Sequence, residues 1–351
     1  MKDFSQMPGP SQLPWLGNTL SFAQSDRLDW LSGLHNEYGR LIRLNVFGKN
    51  VVLVQDRKWL KYILQSNYKD FSKQGKALEK GKKVFGNGLF TSEGEFWRKQ
   101  RKLAQPAFHR EKLQALSESM IGCISSMLID WEAKAQRKVA IDLADEMMHL
   151  TLNVVTKSMF SASLTKDEIT TFRQVFPAIL AETNRRILNP IGLFDKIPSK
   201  DSLEYEKNIN RLDSILYRII NDRLNSKSEY NDLLAMLMSA TYEDSDMGMS
   251  EKQLRDEIMT IFIAGHETTA QALCWSMFLL NQNPRVSDKL NSEVANVLDG
   301  NIPEAGDFVK LPYTLQLFKE TLRIYPPVAL YVRSAEKSFE MDGYSIPVNT
   351  K

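Results

Sequence analysis

Ala264-Gly265-His266-Glu267-Thr268-Thr269 sits at the centre of a long helical stretch, residues 250–283, and its reading decides the fold. Ser250 followed by Gln253 has the spacing of a capping box, and Pro284 marks where the pattern stops. A helix of about 30 residues, roughly 50 Å long, crosses a whole domain. Its two halves, residues 258–263 and 273–280, are apolar, so the rod belongs in a core. Polar groups at its centre cost free energy unless they are partnered. The threonine hydroxyls can compete for backbone carbonyls and loosen the ladder. Gly265 leaves room for another group to approach the backbone. A core helix with satisfied polar side chains fits the same residues. His266-Glu267 opens like the zinc-hydrolase pattern, which needs a second histidine one turn later. Position 270 is Ala270, so that metal clamp is excluded.

Composition narrows the class. Of 351 residues, 43% are hydrophobic and 25% charged, as in ordinary globular chains with room for a substantial core. A formal charge of +2 gives no reason to expect nucleic acid. Cys123 and Cys274 both lie in apolar helical surroundings and read as buried thiols of a reducing compartment. No apolar run is long enough for a membrane anchor, and the N-terminus lacks a signal-peptide core. Cytoplasm is the expected location.

Taken in order, residues 1–27 form a Pro/Gly-rich lead-in. A short helix is expected at 28–38, then a hairpin at 41–54 broken by Gly48-Lys49-Asn50. Residues 58–65 read as a short helix, 76–94 as a glycine-punctuated loop, and 95–103 as a basic helix. Longer helices follow at about 110–135, 143–160, 166–187, 201–225 and 231–240. Residues 187–199 look like a mobile surface connection, and 242–246 form a polar loop before the rod. Pro284 opens another helix, and 313–324 is the last. Short strands are expected at 328–333, 339–341 and 344–346, with Asp342-Gly343 as a turn. The chain reads as one mainly α domain with a minor β-sheet.

Two pairs stand out beside the rod. Trp97 and Arg101 are four residues apart and share a helix face, with Arg98, Lys99 and Lys102 on the other side. A ring beside an inward guanidinium suits a flat ligand bearing carboxylates. An amphipathic helix with a solvated basic face has the same pattern. Glu320 and Arg323, just before Pro326-Pro327, are either a surface ion pair or a buried pair holding a fold junction.

Together these motifs resemble the cytochrome P450 family of haem-thiolate monooxygenases. The stretches are residues 264–269, Lys319-Glu320-Thr321-Leu322-Arg323-Ile324-Tyr325-Pro326-Pro327 and Trp97-Arg98-Lys99-Gln100-Arg101, in the family's order. The resemblance implies a P450-like helical domain over residues 1–351 with haem b as cofactor. It makes Thr268 the alcohol that helps deliver protons and Glu267 the acid beside it. Ala264 and Gly265 would line the cavity above the iron, and Trp97, Arg101 and Arg333 would reach haem propionates. Glu320 and Arg323 would be a buried structural pair. Phe85, Leu89 and Phe90 lie where the family contacts substrate, and Phe172, Phe176 and Ile179 would add a roof.

The implied reaction inserts one oxygen atom of O2 into an apolar small molecule, such as a fatty acid or terpenoid. Electrons would come from a separate ferredoxin, flavodoxin or flavin reductase, docking on Arg98, Lys99 and Lys102. A helical, non-catalytic protein that binds apolar ligands is the alternative. The sequence departs from the family at the iron ligand, a cysteine thiolate in a glycine-bearing loop near the C-terminus. Cys274 lies six residues after Thr268, about 240° round the helix, and Cys123 lacks such a loop. Both read as core thiols, so the ligand is expected beyond Lys351, with the domain incomplete at its C-terminus. The expectation is a fragment of a longer enzyme or a truncated, inactive product that neither ligates haem through sulfur nor folds stably.

Overall fold

Residues 254–263 of the rod are buried without a break, the pattern of a helix covered on all sides. The computed structural model describes residues 1–24, 26–73, 75–109, 114, 116–188, 199–240 and 248–351. In it the central helix runs uninterrupted over Glu251–Gln282, 32 residues. The expected length is met, but the ladder is not broken at the threonines. Ser250 Oγ accepts the Gln253 N–H at 3.2 Å, half of the expected capping box. The other half is missing because the Gln253 amide reaches Asn87 and Glu257 instead.

Contacts divide the chain into two compact units. The first comprises Met1–Lys83, Ala181–Ser199 and Leu330–Lys351. Its hairpin pairs Leu41–Val46 with Lys49–Val54. Phe47 and Gly48 turn it at φ of 53° and 71°, the signs a two-residue I′ turn requires. The turn therefore precedes the expected break, and Asn50 pairs with Asn45 inside the ladder. Ile42, Leu44 and Val46 alternate onto one face and bury against Leu31 and Leu34 of helix Arg27–Tyr38.

A second hairpin, Phe339–Met341 with Tyr344–Ile346, turns at Asp342-Gly343 as expected. It covers Phe4, Met7 and Trp59. Lys351 exchanges backbone hydrogen bonds with Asn50 and Val52. The expected strand at 328–333 is absent; only Ser334–Ala335 pairs, with Phe71–Ser72. Val328, Leu330, Tyr331 and Val332 are exposed, so alternation there meets no neighbouring strand among the described residues.

The second unit, Val84–Leu180 with Lys200–Ala329, carries the rod. Ile258 and Phe262 bury with Leu152 and Val155, with Phe172, Phe176 and Ile179, and with Leu212 and Ile219 in one apolar cluster. These come from the segments Leu143–Val154 with Val155–Met159, Lys166–Leu188 and Lys200–Asn225. Helix Pro312–Ile324 docks further along the rod, where Ser276 Oγ lies 3.2 Å from Thr321 Oγ1. Helix Pro284–Leu298 starts on its proline as expected.

The expected loop at 76–94 is mostly helix, Lys76–Phe85. Its Leu, Glu and Lys residues sustain a helix through Gly81, which the glycines within and around it conceal. Only 86–93 is loop, before helix Gly94–Ala104. The expected connection at 187–199 and the polar loop at 242–246 fall largely or wholly outside the described residues, as does the start of the helix expected at 110.

Candidate functional site

Past residue 263 the rod opens on one side. Ala264, Thr268, Gln271 and Trp275 form a stripe at helical spacing; Ala264 and Trp275 are exposed, Thr268 and Gln271 half-buried. Thr268 Oγ1 donates to the Ala264 carbonyl at 2.5 Å. Trp275 stacks on Tyr325 with centroids 4.0 Å apart and planes 8° from parallel. A run with no open side thus becomes a helix that presents a small residue and the Thr268 hydroxyl along this stripe, with Thr269 exposed off it.

Glu267 borders this stripe, half-buried, and accepts from Gln271 Nε2 at 3.1 Å. Burial, the larger cause, pushes its carboxyl above the usual range, against the pull of Gln271. His266 turns the other way and is 2% exposed. It stands edge-on to Phe172 and Phe176 at 5.1 and 5.5 Å. Burial pushes it down to about 4, partly offset by a hydrogen bond with the Met148 backbone. It is a neutral core histidine.

Gly265 does not share the open stripe. A Cβ there would lie 3.0 Å from Val155 Cγ2. The room expected for a ligand at Gly265 is therefore taken by a core neighbour. Phe176 also moves from the expected roof into the core. It is 1% exposed and stacks on Phe172 at 5.2 Å, and Ile179 is fully buried beside them. Spacings of four and three residues put all three on the inner face of their helix.

Of the other expected substrate contacts, Phe85 is half-buried and Phe90 is 57% exposed, with ring centroids 5.2 Å apart. Leu89 is half-buried, and its N–H donates to Glu257 Oε2 at 3.0 Å. That contact belongs to a group the sequence reading missed, Asp256 and Glu257, both buried on the rod. Burial pushes the Glu257 carboxyl up to about 7. The only local signal is a run of three charges, Arg255-Asp256-Glu257, directly before the mostly apolar run 258–263.

Arg101 places its guanidinium 5.5 Å from the Trp97 ring centroid, the stacking their spacing predicts. Trp97 is half-buried, but Arg101 is exposed. Arg98, Lys99 and Lys102 are exposed as expected, and Arg98 bridges to Glu95 at 3.0 Å. Arg333, in the first unit, is half-buried and donates to the Val332 carbonyl at 2.8 Å.

Glu320 and Arg323 do pair, through two bonds of 2.8 and 2.7 Å. They are not buried: their side chains are 55% and 69% exposed. The helix docks through buried Thr321 and the ring of Tyr325, and no described residue covers the face bearing the ion pair. The arginine holds the carboxyl of Glu320 below its usual range.

Cys123 and Cys274 are free and meet in one cluster with Met147, Leu150 and Ala270. Burial raises both thiols, so they stay protonated and are core groups, as expected. Among the described residues, no group of three or more His, Cys, Asp or Glu could hold a metal ion, and no helix is long and apolar enough to cross a membrane. A groove of about 550 Å³ along Arg57, Leu60 and Leu64 contains none of the residues above.

Comparison with known proteins agrees with the motifs. The family model described as Cytochrome P450 matches residues 7–351. The chain is 31% identical over 339 residues to cyclooctatin synthase of Streptomyces melanosporofaciens, covering 96% of this chain and 72% of that protein. It is 28% identical to cyclooctat-9-en-7-ol 5-monooxygenase of the same organism (97% and 72% covered). It is 26% identical to pentalenene oxygenase of Streptomyces avermitilis (97% and 74% covered). Proteins of this kind are haem-thiolate oxidoreductases that take O2 and electrons from a redox partner to oxygenate small molecules. With the A-G-x-E-T-T motif, the E-x-x-R pair and a match over nearly all its residues, this chain belongs to the cytochrome P450 family.

Proposed function

We propose that the chain carries the oxygen-side and substrate-side elements of a monooxygenase that inserts one atom of O2 into an apolar small molecule, a terpenoid before a fatty acid. The observation that carries this reading is the open stripe: Ala264 exposed one turn from the Thr268 hydroxyl, directly after a run, 254–263, that is buried throughout. The relatives named for cyclooctat-9-en-7-ol and pentalenene support the terpenoid class. Half-buried Phe85 and Leu89 with exposed Phe90 offer apolar contact.

The stripe fits the face of a flat ring, because Ala264 presents only a methyl group there. The Trp97-stacked guanidinium of Arg101 fits a carboxylate. Neither core thiol fits the thiolate, so we assign that ligand to residues outside 1–351. Haem, when bound, supplies a redox-active iron that activates O2 with two electrons from the donor. Inserting one oxygen atom releases the other as water and consumes two protons. Burial holds the Glu267 carboxyl above the usual carboxylate range, which favours its protonated form and suits it to carry a proton. Thr268 Oγ1 donates to the Ala264 carbonyl, which leaves its lone pairs to accept a hydrogen bond, and rotation of the O–H out of that bond frees its proton for delivery.

A ferredoxin, flavodoxin or flavin reductase is the proposed donor, supported by the exposed Arg98, Lys99 and Lys102. Cytoplasm is the proposed location, supported by two unpaired thiols. The family match, unbroken over residues 7–351, supports a single domain. The test is turnover of terpene and fatty-acid panels by the complete enzyme with isotopically labelled O2. One labelled oxygen per terpene product is expected; products without label overturn the reading.

A further inference from the structure

Arg255, Asp256 and Glu257 are consecutive on the rod and only 5%, 2% and 0% exposed. Buried charges are tolerated only with partners, and the partners here form a specific device. Arg255 is held by Asp213 and donates to Asp256 at 3.1 Å. Asp256 also accepts from Lys252 at 3.0 Å and from the Asn87 backbone N–H at 2.8 Å. Two residues along the same loop, Leu89 N–H donates to Glu257 at 3.0 Å. Gln253 completes the grip, donating to the other Glu257 oxygen at 3.0 Å and to the Asn87 carbonyl at 3.3 Å.

The loop is shaped for this contact. Gly86 has φ +62°, and a Cβ there would fall 1.9 Å from Asp256 Oδ1. A Cβ on Gly88 would fall 2.4 Å from Thr260 Oγ1 and 2.5 Å from the Asp256 carbonyl. Only bare backbone can lie this close to the rod. Thr91 closes the loop from within, donating to the Gly86 carbonyl at 2.6 Å.

We propose that Glu257, with Asp256, is a positioning residue that pins the 86–92 loop to the central helix. Through that loop it sets the places of Phe85, Leu89 and Phe90. The geometry points to a specificity determinant that never touches substrate: a rigid loop held by two carboxylates at alternate backbone N–H groups. Its effect on substrate rests on the monooxygenase reading; the clamp itself does not.

Two kinds of measurement separate these. In the full chain, backbone hydrogen exchange of peptides covering 86–92 should speed up by about tenfold or more in Glu257→Leu, as expected for leaving a buried N–H without its acceptor. Glu257→Gln, which keeps an acceptor for Leu89, should restore most of the protection. Gly88→Ala attacks the same contact from the loop side, without a change of charge, and should also expose the loop. Protection of residues 270–282 should stay as in the wild type in all three. Unchanged loop exchange in Gly88→Ala, or equal deprotection of loop and rod in both Glu257→Leu and Gly88→Ala, overturns the clamp.

In the complete enzyme, Gly88→Ala should raise KM for an apolar substrate by about tenfold while kcat falls less. A loop freed in exchange but with unaltered KM and product ratio overturns the specificity role. Loss of the expected product in the wild type would sink only the monooxygenase reading.

Discussion

Thr268 and Ala264 are joined by a 2.5 Å hydrogen bond from hydroxyl to carbonyl, one turn apart on an open stripe of the central helix. The bond fixes the threonine rotamer without breaking the helix, which stays continuous to Gln282. It turns the O–H inward and leaves the oxygen lone pairs outward. A hydroxyl so held accepts a hydrogen bond from the open side, and rotation of its O–H away from the Ala264 carbonyl frees that proton for a relay.

Thr268→Ala in the complete enzyme should therefore separate electron use from product. Product formation is expected to fall by roughly one to two orders of magnitude, while O2 consumption falls much less. Thr268→Ser should recover most of the coupling. Parallel measurement of oxygen uptake and product decides it; an unchanged ratio removes Thr268 from the proton path.

Glu257 and His266 pull the pH dependence of stability in opposite directions. Folded Glu257 keeps its proton up to about 7, against an ordinary value of 4.5. The folded state binds the extra proton, so this contribution is present at low pH and is lost as pH rises through about 7. Folded His266 protonates only near about 4, against 6.5. Its contribution is present above 6.5 and is lost as pH falls through about 4. Relative to wild type, Glu257→Gln should gain stability as pH rises through its window, and His266→Asn should lose it. Each change should amount to about 3 kcal/mol at most. Urea titrations at a series of pH values give the slopes; reversed slopes would refute the burial argument.

Phe176→Ala should act on folding. Truncating a fully buried phenylalanine that stacks on Phe172 and meets His266 is expected to cost about 3–5 kcal/mol. A side chain facing an open ligand space would cost far less. Equilibrium unfolding distinguishes the two.

Glu320→Gln should leave the thermal midpoint of residues 1–351 close to that of the parent, because the ion pair is solvated here. Thr321→Ala should lower it, since that buried hydroxyl meets Ser276 across two helices. If the ion-pair variant is the more damaging of the two, the assignment of the docking face is wrong.

Reconstitution of residues 1–351 with haem should give no thiolate-type Soret band in the reduced CO complex. Buried Cys123 and half-buried Cys274 share a cluster, and burial raises both thiols. A thiolate band that vanishes in Cys274→Ser would overturn the assignment of the ligand to residues outside 1–351.

Much of what is local was legible, although the helix Lys76–Phe85 was hidden by its glycines and the alternation at 328–333 found no partner strand. A 3.6-residue period and a terminal proline are properties of neighbouring residues, so the rod and the helix opened by Pro284 were visible in the chain alone. The two hairpins were visible as well, from alternation and turn residues. The missing second histidine at Ala270 excluded the zinc site by the same local logic. Partners distant in sequence decided the rest. Asp256 and Glu257 look like surface charges until a loop 169 and 168 positions away donates its N–H groups to them. Gly265 looks like room for a ligand until Val155 fills it, and Phe176 looks like a roof until its helix rolls that face inward. Periodicity states that a helix has faces; only the neighbours brought up by folding decide what each face meets, because burial and hydrogen-bond satisfaction belong to the assembled core.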